Sequence, residues 1–304
     1  MNVALYAAAK SATANGIKVS GIHKGFEGLI DNQLSQLSVS QLQKTMHLGG
    51  TILKTSRSER FKSVEGRTLA LKTIHKNEID GLVAIGGDGT FRGISSLSDI
   101  CDIPCIGIPG TIDNDTVGTD YTLGFDSAVN TAMMCIDNIR DTAESHNRMF
   151  VIEVMGRDSG YIGMYSGLTT GADSILIPEC PQELTFLLDK IKLYDSEDAF
   201  IVILSEGNKL GLDLVSSKIR TVNKEIDLRI CKLGHIQRGG NPSATDRMLG
   251  IRLGVKAVDS LIQGESNKMV GICSNQLVLT PFPQIAKRHS IDKELQSLLT
   301  LFCR

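Results

Sequence analysis

The chain has 304 residues, 41% of them hydrophobic and 22% charged, with a formal net charge of −2. That length and apolar content can build a large core, or two α/β domains. The near-neutral balance excludes a global field that would draw a nucleic-acid backbone or an anionic membrane, so charged ligands must be held by local clusters. The cysteines at 101, 105, 135, 180, 231, 273 and 303 are odd in number and form no CxxC pair. They read as reduced thiols of a cytoplasmic protein. No apolar run approaches a membrane span. The apolar opening Met1–Ala9 has no basic residue before it and reads as a helix, not a signal peptide.

In chain order, the first helix is expected to end near Asn15-Gly16, a pair suited to a left-handed C-terminal cap. Ile17–Ile22 is a short β-branched run. Ser38–Met46 and Arg67–Asn77 read as helices, the first capped by its serine. Ile79–Ile85 is a continuous apolar run, as a parallel strand covered on both faces requires. Pro104–Ile108 is a second such strand. Phe125–Asp141 reads as a helix, Met149–Val154 and Phe200–Leu204 as strands, Gly250–Gln263 as a helix and Met269–Ile272 as a late strand. Strands separated by helices imply βαβ units and doubly wound, mostly parallel sheets.

The run into Gly86-Gly87-Asp88-Gly89-Thr90 joins a buried strand to a helix. Glycines let backbone N–H groups approach phosphate oxygens, and a helix N-terminus favours anions. Asp88 is the candidate Mg²⁺ ligand, since that ion takes one or two carboxylates plus phosphates and water. Thr90 can cap the helix or touch phosphate. The motif alone is shared with NAD kinases and diacylglycerol kinases. Pro109-Gly110-Thr111-Ile112-Asp113-Asn114-Asp115 follows the next strand, at the carboxyl edge where open sheets bind ligands. In an extended segment residues i and i+2 face the same way, so Asp113, Asp115 and Thr111 are expected on one side. Two close carboxylates repel unless a cation or proton intervenes, which suggests a base beside a metal or an arginine.

Basic residues cluster near strand ends. Arg148 precedes Met149–Val154, and Met155-Gly156-Arg157 follows it; Arg229 leads into Gly234-His235-Ile236-Gln237-Arg238-Gly239-Gly240, with Asp246-Arg247 beyond. Arginine forks suit phosphate oxygens, and Glu206, after Phe200–Leu204, suits sugar hydroxyls.

At these residues the chain resembles the bacterial-type 6-phosphofructokinase family. GGDGT, PGTIDND, the MGR of 155–157 and the stretch Arg229–Arg247 carry the resemblance, which runs from Met1 to near the C-terminus. It implies two Rossmann-like three-layer α/β/α domains with mostly parallel sheets and an active site in the cleft between them. The boundaries expected are 1–124 plus 237–287 for the nucleotide and 125–236 plus 288–304 for fructose 6-phosphate. It implies ATP as co-substrate and Mg²⁺ at Asp88. Asp113 is the expected base for the sugar 1-hydroxyl. Thr111 and Arg157 would steady the moving phosphoryl, and Asp115 would support the metal region. Arg57, Ser58, Gly87, Gly89, Thr90, Gly93 and Phe26 fall to the nucleotide side. Ile112, Met155, Gly156, Glu206, His235, Ile236, Gln237 and Arg238 fall to the sugar side. Arg148 and Arg229 are expected to reach the 6-phosphate from a neighbouring copy, so the resemblance implies a homotetramer, with no nucleic acid or membrane partner. The small residues Gly89 and Gly110 favour ATP over diphosphate; the alternatives are a diphosphate-dependent enzyme and a catalytically weak regulatory subunit.

Two departures from the family stand out. Members carry a strand and a GGDxPG loop directly before the Met-Asn that opens this sequence, so weak ATP binding and modest stability are expected of the chain as given. Where members place basic groups for an effector's phosphates, this chain has Tyr6, Leu48, Asp195, Glu197 and Asp198, while Lys10, Arg140 and Asp173 remain. Effector control is therefore expected to be weak, because carboxylates repel a polyphosphate.

Overall fold

A computed structural model of the chain describes residues 1–195, 198–287 and 290–303. The elements run α1 (Asn2–Ala14), β1 (Ser20–Ile22), α2 (Phe26–Ile30), β2 (Leu34–Gln36), α3 (Val39–Gln43), α4 (Val64–Lys76), β3 (Leu82–Gly86), α5 (Asp88–Ser98) and β4 (Cys105–Pro109). They continue with α6 (Phe125–His146), β5 (Met149–Val154), α7 (Tyr161–Thr169), β6 (Ser174–Leu176), α8 (Glu183–Leu193), β7 (Phe200–Ser205), α9 (Gly211–Val222) and β8 (Leu228–Lys232). The last are α10 (Ala244–Ile262), β9 (Lys268–Cys273), β10 (Gln276–Pro281) and α11 (Lys293–Cys303), with short 3₁₀ turns at Arg60–Lys62, Gly234–Arg238 and Phe282–Gln284.

The chain forms two compact units, 1–111 with 116–124 and 241–287, and 112–115 with 125–240 and 288–304. The expected boundaries need correction at two places. Residues 112–115 go with the second unit because Ile112 packs on that unit's core. Residues 237–240 do so because the buried Gln237 is bonded there, accepting from Met155 N–H and donating to Gly234 O.

In the first unit the sheet order is β10-β9-β4-β3, with β3, β4 and β9 parallel and β10 antiparallel. Alternate side chains take opposite faces of a strand. Ile106 and Ile108 of β4 accordingly join Leu249, Leu253 and Ala257 of α10 and Ala4 of α1, whereas Cys105 joins Phe91, Ile94 and Leu97 of α5 and Ala70 and Ile74 of α4. The sheet is thus covered on both faces. β3 is only half-buried up to Gly86, unlike the fully covered strand its apolar run suggests, because it lies at the edge of this sheet.

The second sheet is fully parallel, in the order β6-β7-β5-β8. Ile201 and Ile203 face α6 and α7, and Val202 and Leu204 face Leu187 and Ile191 of α8 and Val215 and Ile219 of α9. Every residue of β7 is buried, which is why it reads as an unbroken apolar run. The α/β class with mostly parallel sheets is the one expected. None of the seven cysteines, all among the described residues, is in a disulfide, and burial pushes Cys105 up to about 12 and Cys303 up to about 11. No helix among the described residues is long and apolar enough to cross a membrane.

Candidate active site

In the first unit, β3 and β4 end side by side, with Gly86 paired to Pro109 and Gly110 N–H donating to Gly86 O at 2.8 Å. Parallel pairing brings the GGDGT and PGT turns to one edge. A Cβ on Gly87 would sit 3.7 Å from Thr111 Cβ, and Thr122 Oγ1 donates to Thr111 O at 2.7 Å. Helix α5 starts at Asp88 with no side-chain cap, so its first N–H groups remain available to an anion. Arg92 Nη1 lies 2.6 Å from Asp88 Oδ2, one helical turn on. At Gly89, the residue after Asp88, an added Cβ would meet nothing within 4 Å outside its own turn of the helix.

No group of three or more metal-binding side chains gathers among the described residues. A single carboxylate at a helix start, followed by the open position Gly89, fits a Mg²⁺ carried largely by phosphates and water, rather than a caged ion. Gly110 differs from Gly89. A Cβ there would press Ile85 Cγ2 at 3.1 Å, so its smallness also serves local packing. Phe26 stacks on Phe61, with ring centroids 4.0 Å apart, and lies over Gly93, where a Cβ would come 2.5 Å from the ring. Phe26 and Gly93 are therefore neighbours. Ser58 Oγ accepts from Phe61 N–H at 3.1 Å, and Arg57 is exposed beside it.

In the second unit Asp113 and Asp115 are buried at 5% and 7% exposure. The segment is not the extended strand that the i, i+2 argument assumed. Asn114 between them has φ of 51°, a left-handed conformation that asparagine tolerates. The carboxylates nonetheless remain electrostatically coupled. Burial, first, and then Asp115 push the Asp113 carboxyl above the usual carboxylate range, while Arg157 and Arg238 pull against them and Glu206 adds to the rise. Arg157 Nε is 3.7 Å from Asp113 Oδ2.

Three adjacent strands supply this surround. Met155–Arg157 follow β5, Glu206 follows β7, and Gly234–Arg238 follow β8. Glu206 Oε1 accepts from the N–H groups of Gly156 at 3.3 Å and Arg157 at 2.8 Å. Arg157 itself is left-handed, with φ of 53°, so the Glu206 bond helps hold a costly conformation. Gly207 lets the two turns interlock, since a Cβ there would lie 1.8 Å from Arg157 O. Gln237 is 2% exposed, and its amide braces Met155 N–H at 3.2 Å and Gly234 O at 3.0 Å. These two bonds make it a brace between the turns after β5 and β8. His235, Ile236 and Arg238 are exposed on the same turn.

Arg148 and Arg229 do not join this group. They lie toward the opposite ends of β5, of six residues, and β8, of five, roughly 15–20 Å away along the strands. There they meet a residue that the sequence analysis missed. Asp227 Oδ2 accepts from Arg148 Nε at 2.7 Å, and Asp227 Oδ1 lies 3.0 Å from Arg229 Nε. Its position two residues before Arg229 was the available signal. Arg140 donates to Thr170 O and Gly171 O at 2.8 and 2.9 Å, and Asp173 Oδ2 accepts from Ile201 N–H. Of the acidic residues that replace the family's basic groups, Glu197 lies outside the described residues.

The family profile described as phosphofructokinase matches residues 1–261. The chain belongs to that family. A relative from Cytophaga hutchinsonii, named ATP-dependent 6-phosphofructokinase, is 44% identical over 302 residues, covering 98% of this chain and 92% of its own length. A solved phosphofructokinase from Saccharomyces cerevisiae superposes with a TM-score of 0.86 at 30% identity, covering 93% of this chain. This chain spans 42% of the length of that yeast chain. A pyrophosphate-dependent phosphofructokinase from Marinobacter aquaeolei superposes with a TM-score of 0.85 over 99% of this chain at 20% identity, a likeness of fold.

Proposed function

We propose that this chain is an ATP-dependent 6-phosphofructokinase, transferring the γ-phosphoryl group of ATP to the 1-hydroxyl of fructose 6-phosphate. The observation that carries the reading is the buried Asp113 carboxylate facing Arg157, in a chain 44% identical to a relative of that name. Asp113 accepts the hydroxyl proton as the sugar oxygen forms its bond to the γ-phosphorus and the bond to ADP breaks. A carboxyl held above its ordinary range is a better base near neutral pH than an exposed aspartate. Arg157 and Thr111 steady the phosphoryl oxygens, which suits a reaction that depends mainly on positioning and charge neutralisation. Glu206 receives sugar hydroxyls while bracing the Arg157 turn. Asp115 supports the region that neutralises phosphate charge.

The α5 N-terminus, with Gly87, Gly89 and Thr90, takes the nucleotide phosphates. Arg57, Ser58, Phe26 and Gly93 border the nucleotide. Mg²⁺, when bound with ATP at Asp88, supplies charge neutralisation to the β- and γ-phosphates. The open space at Gly89 favours ATP over diphosphate as donor. Arg148 and Arg229 receive the sugar 6-phosphate of a neighbouring copy. Their distance from Glu206 along the sheet supports self-association, with a homotetramer as the family's arrangement.

The test follows ADP release in a coupled assay with fructose 6-phosphate and ATP, and identifies the product by phosphorus NMR. Sugar-dependent ADP release with fructose 1,6-bisphosphate as product is expected. Equal kcat/KM with diphosphate in place of ATP would overturn the donor assignment. Sugar binding without turnover in the wild-type chain would favour the regulatory-subunit alternative.

A further inference from the structure

The arginine pair at the far end of the second unit's sheet is not left to solvent. Parallel pairing sets Met149 opposite Leu228 and Phe150 opposite Arg229, so Arg148 comes abreast of Asp227. Met149 N–H donates to Asp227 O at 3.2 Å, which ties the two backbones at that point. Arg148 Nε donates to Asp227 Oδ2 at 2.7 Å; Arg229 lies 3.0 Å from Oδ1 through Nε and donates to Oδ2 through Nη2 at 3.3 Å. One carboxylate therefore bridges two guanidinium groups, and the cluster keeps a net positive charge.

An arginine has five N–H donors in a fixed fork. Among the described residues Arg148 spends only its Nε on a protein partner, and Arg229 keeps Nη1 uncommitted. The Asp227 carboxyl is held below its ordinary range, first by the Arg148 bond, so it stays ionised at neutral pH. Side-chain exposures of 28% for Arg148, 45% for Asp227 and 52% for Arg229 say that the pairs add little to folding. A bridged, half-solvated, net-cationic pair with unused forks is better suited to taking an anion than to holding the fold together.

We propose that Asp227 is a positioning residue that aligns Arg148 and Arg229 side by side to receive a phosphate monoester. The inference rests on the reading above, in which these arginines take the sugar 6-phosphate. Without the bridge, two like charges on neighbouring strands splay, and each long side chain must be ordered by the ligand itself. Two effects then compete. Removing a negative charge beside the phosphate favours binding, whereas lost alignment opposes it. Alignment is the larger, because ordering a rotamer-rich side chain weakens binding by roughly two- to tenfold for each arginine.

The test uses the full chain in its native assembly, with steady-state kinetics on Asp227→Ala, Asp227→Asn and Asp227→Glu. Arg148→Ala and Arg229→Ala run alongside. The expected result for Asp227→Ala is a severalfold higher KM for fructose 6-phosphate, with kcat at saturation, KM for ATP and Tm unchanged. Asp227→Asn, which keeps the size of the side chain, moves KM the same way. Asp227→Glu, which restores the charge, recovers much of the loss. In an Arg148→Ala, Arg229→Ala background, Asp227→Ala should add nothing further. An unchanged or lower KM in Asp227→Ala and Asp227→Asn, while the arginine variants raise it, overturns the positioning role and leaves the substrate reading intact. Arginine variants with wild-type KM overturn the substrate reading at this cluster, and the inference with it.

Discussion

Replacing Asp113 by asparagine preserves shape and hydrogen bonding while removing the proposed base, and it should separate activity from stability. The carboxylate is 5% exposed and lies 3.7 Å from Arg157 Nε, where attraction between unit charges is about 4 kcal/mol at an effective dielectric of about 20. Arg157 is half-exposed, so solvent screening leaves only part of that attraction. Desolvation of the carboxylate costs several kcal/mol, and Asp115 repels it. The raised carboxyl pKa gives the direction of the balance. With its folded value above the unfolded one, the stability Asp113 contributes is fully present below the ordinary carboxylate range. It is lost as pH rises through the interval up to the raised value. Above that interval the ionised group therefore works against the fold. Asp113→Asn should melt no lower than wild type, and by direction higher, at neutral pH. The same change should lower kcat by about 10²–10⁴-fold. It should also abolish the acid limb of the kcat/KM profile, which in the wild-type chain lies above the usual aspartate range. Scanning calorimetry and a coupled ADP assay from pH 5 to 9 read all three. A variant that keeps more than a third of wild-type kcat, or melts lower than wild type, refutes the reasoning.

Gly89→Asp should leave Tm almost unchanged, since no protein atom occupies that space, yet raise KM for ATP at least about tenfold by placing charge in the phosphate path. Steady-state kinetics with both donors would show it, and unchanged ATP kinetics would refute it. Gly207→Ala should force apart the turns that carry Glu206 and Arg157, at about 1–3 kcal/mol of stability and with a clear loss of kcat. Urea titration and activity check this, and wild-type behaviour in both would show that the interlock is dispensable. ADP or phosphoenolpyruvate at millimolar levels should shift half-saturation for fructose 6-phosphate less than twofold, because Arg140 is already committed to carbonyls of 170 and 171. A larger shift that is lost in Arg140→Ala would show a working effector site.

Much of the architecture is written locally. The run Met149–Val154 and the strand beginning at Phe200 are legible because both faces of a central parallel strand must be apolar. GGDGT is legible because small residues between a buried strand and a helix start are what a phosphate site would need, and PGTIDND because it follows directly on the next strand. Other parts are not. Helix α8 runs from Glu183 to Leu193 and α9 from Gly211 to Val222, yet their amphipathic stripes acquire meaning only once a sheet face exists to cover. The conformation of 113–115 departs from the extended one expected, because asparagine's tolerance of left-handed φ does not announce itself in the order of residues.

What the sequence determined alone was therefore which chemical groups are present and which strand ends carry them. Only the tertiary structure decided how those groups act on one another. Burial together with Asp115 raises the Asp113 carboxyl, a consequence of dielectric and distance that residue order does not contain. Gln237 became a buried brace because parallel pairing of β5 and β8 set its amide under Met155. Asp227, unremarked beside Arg229 in the sequence, met Arg148 across 79 residues only when their strands paired in register. Local propensity is read from neighbours in the chain, whereas charge coupling depends on neighbours in space, and those are chosen by how the sheet assembles.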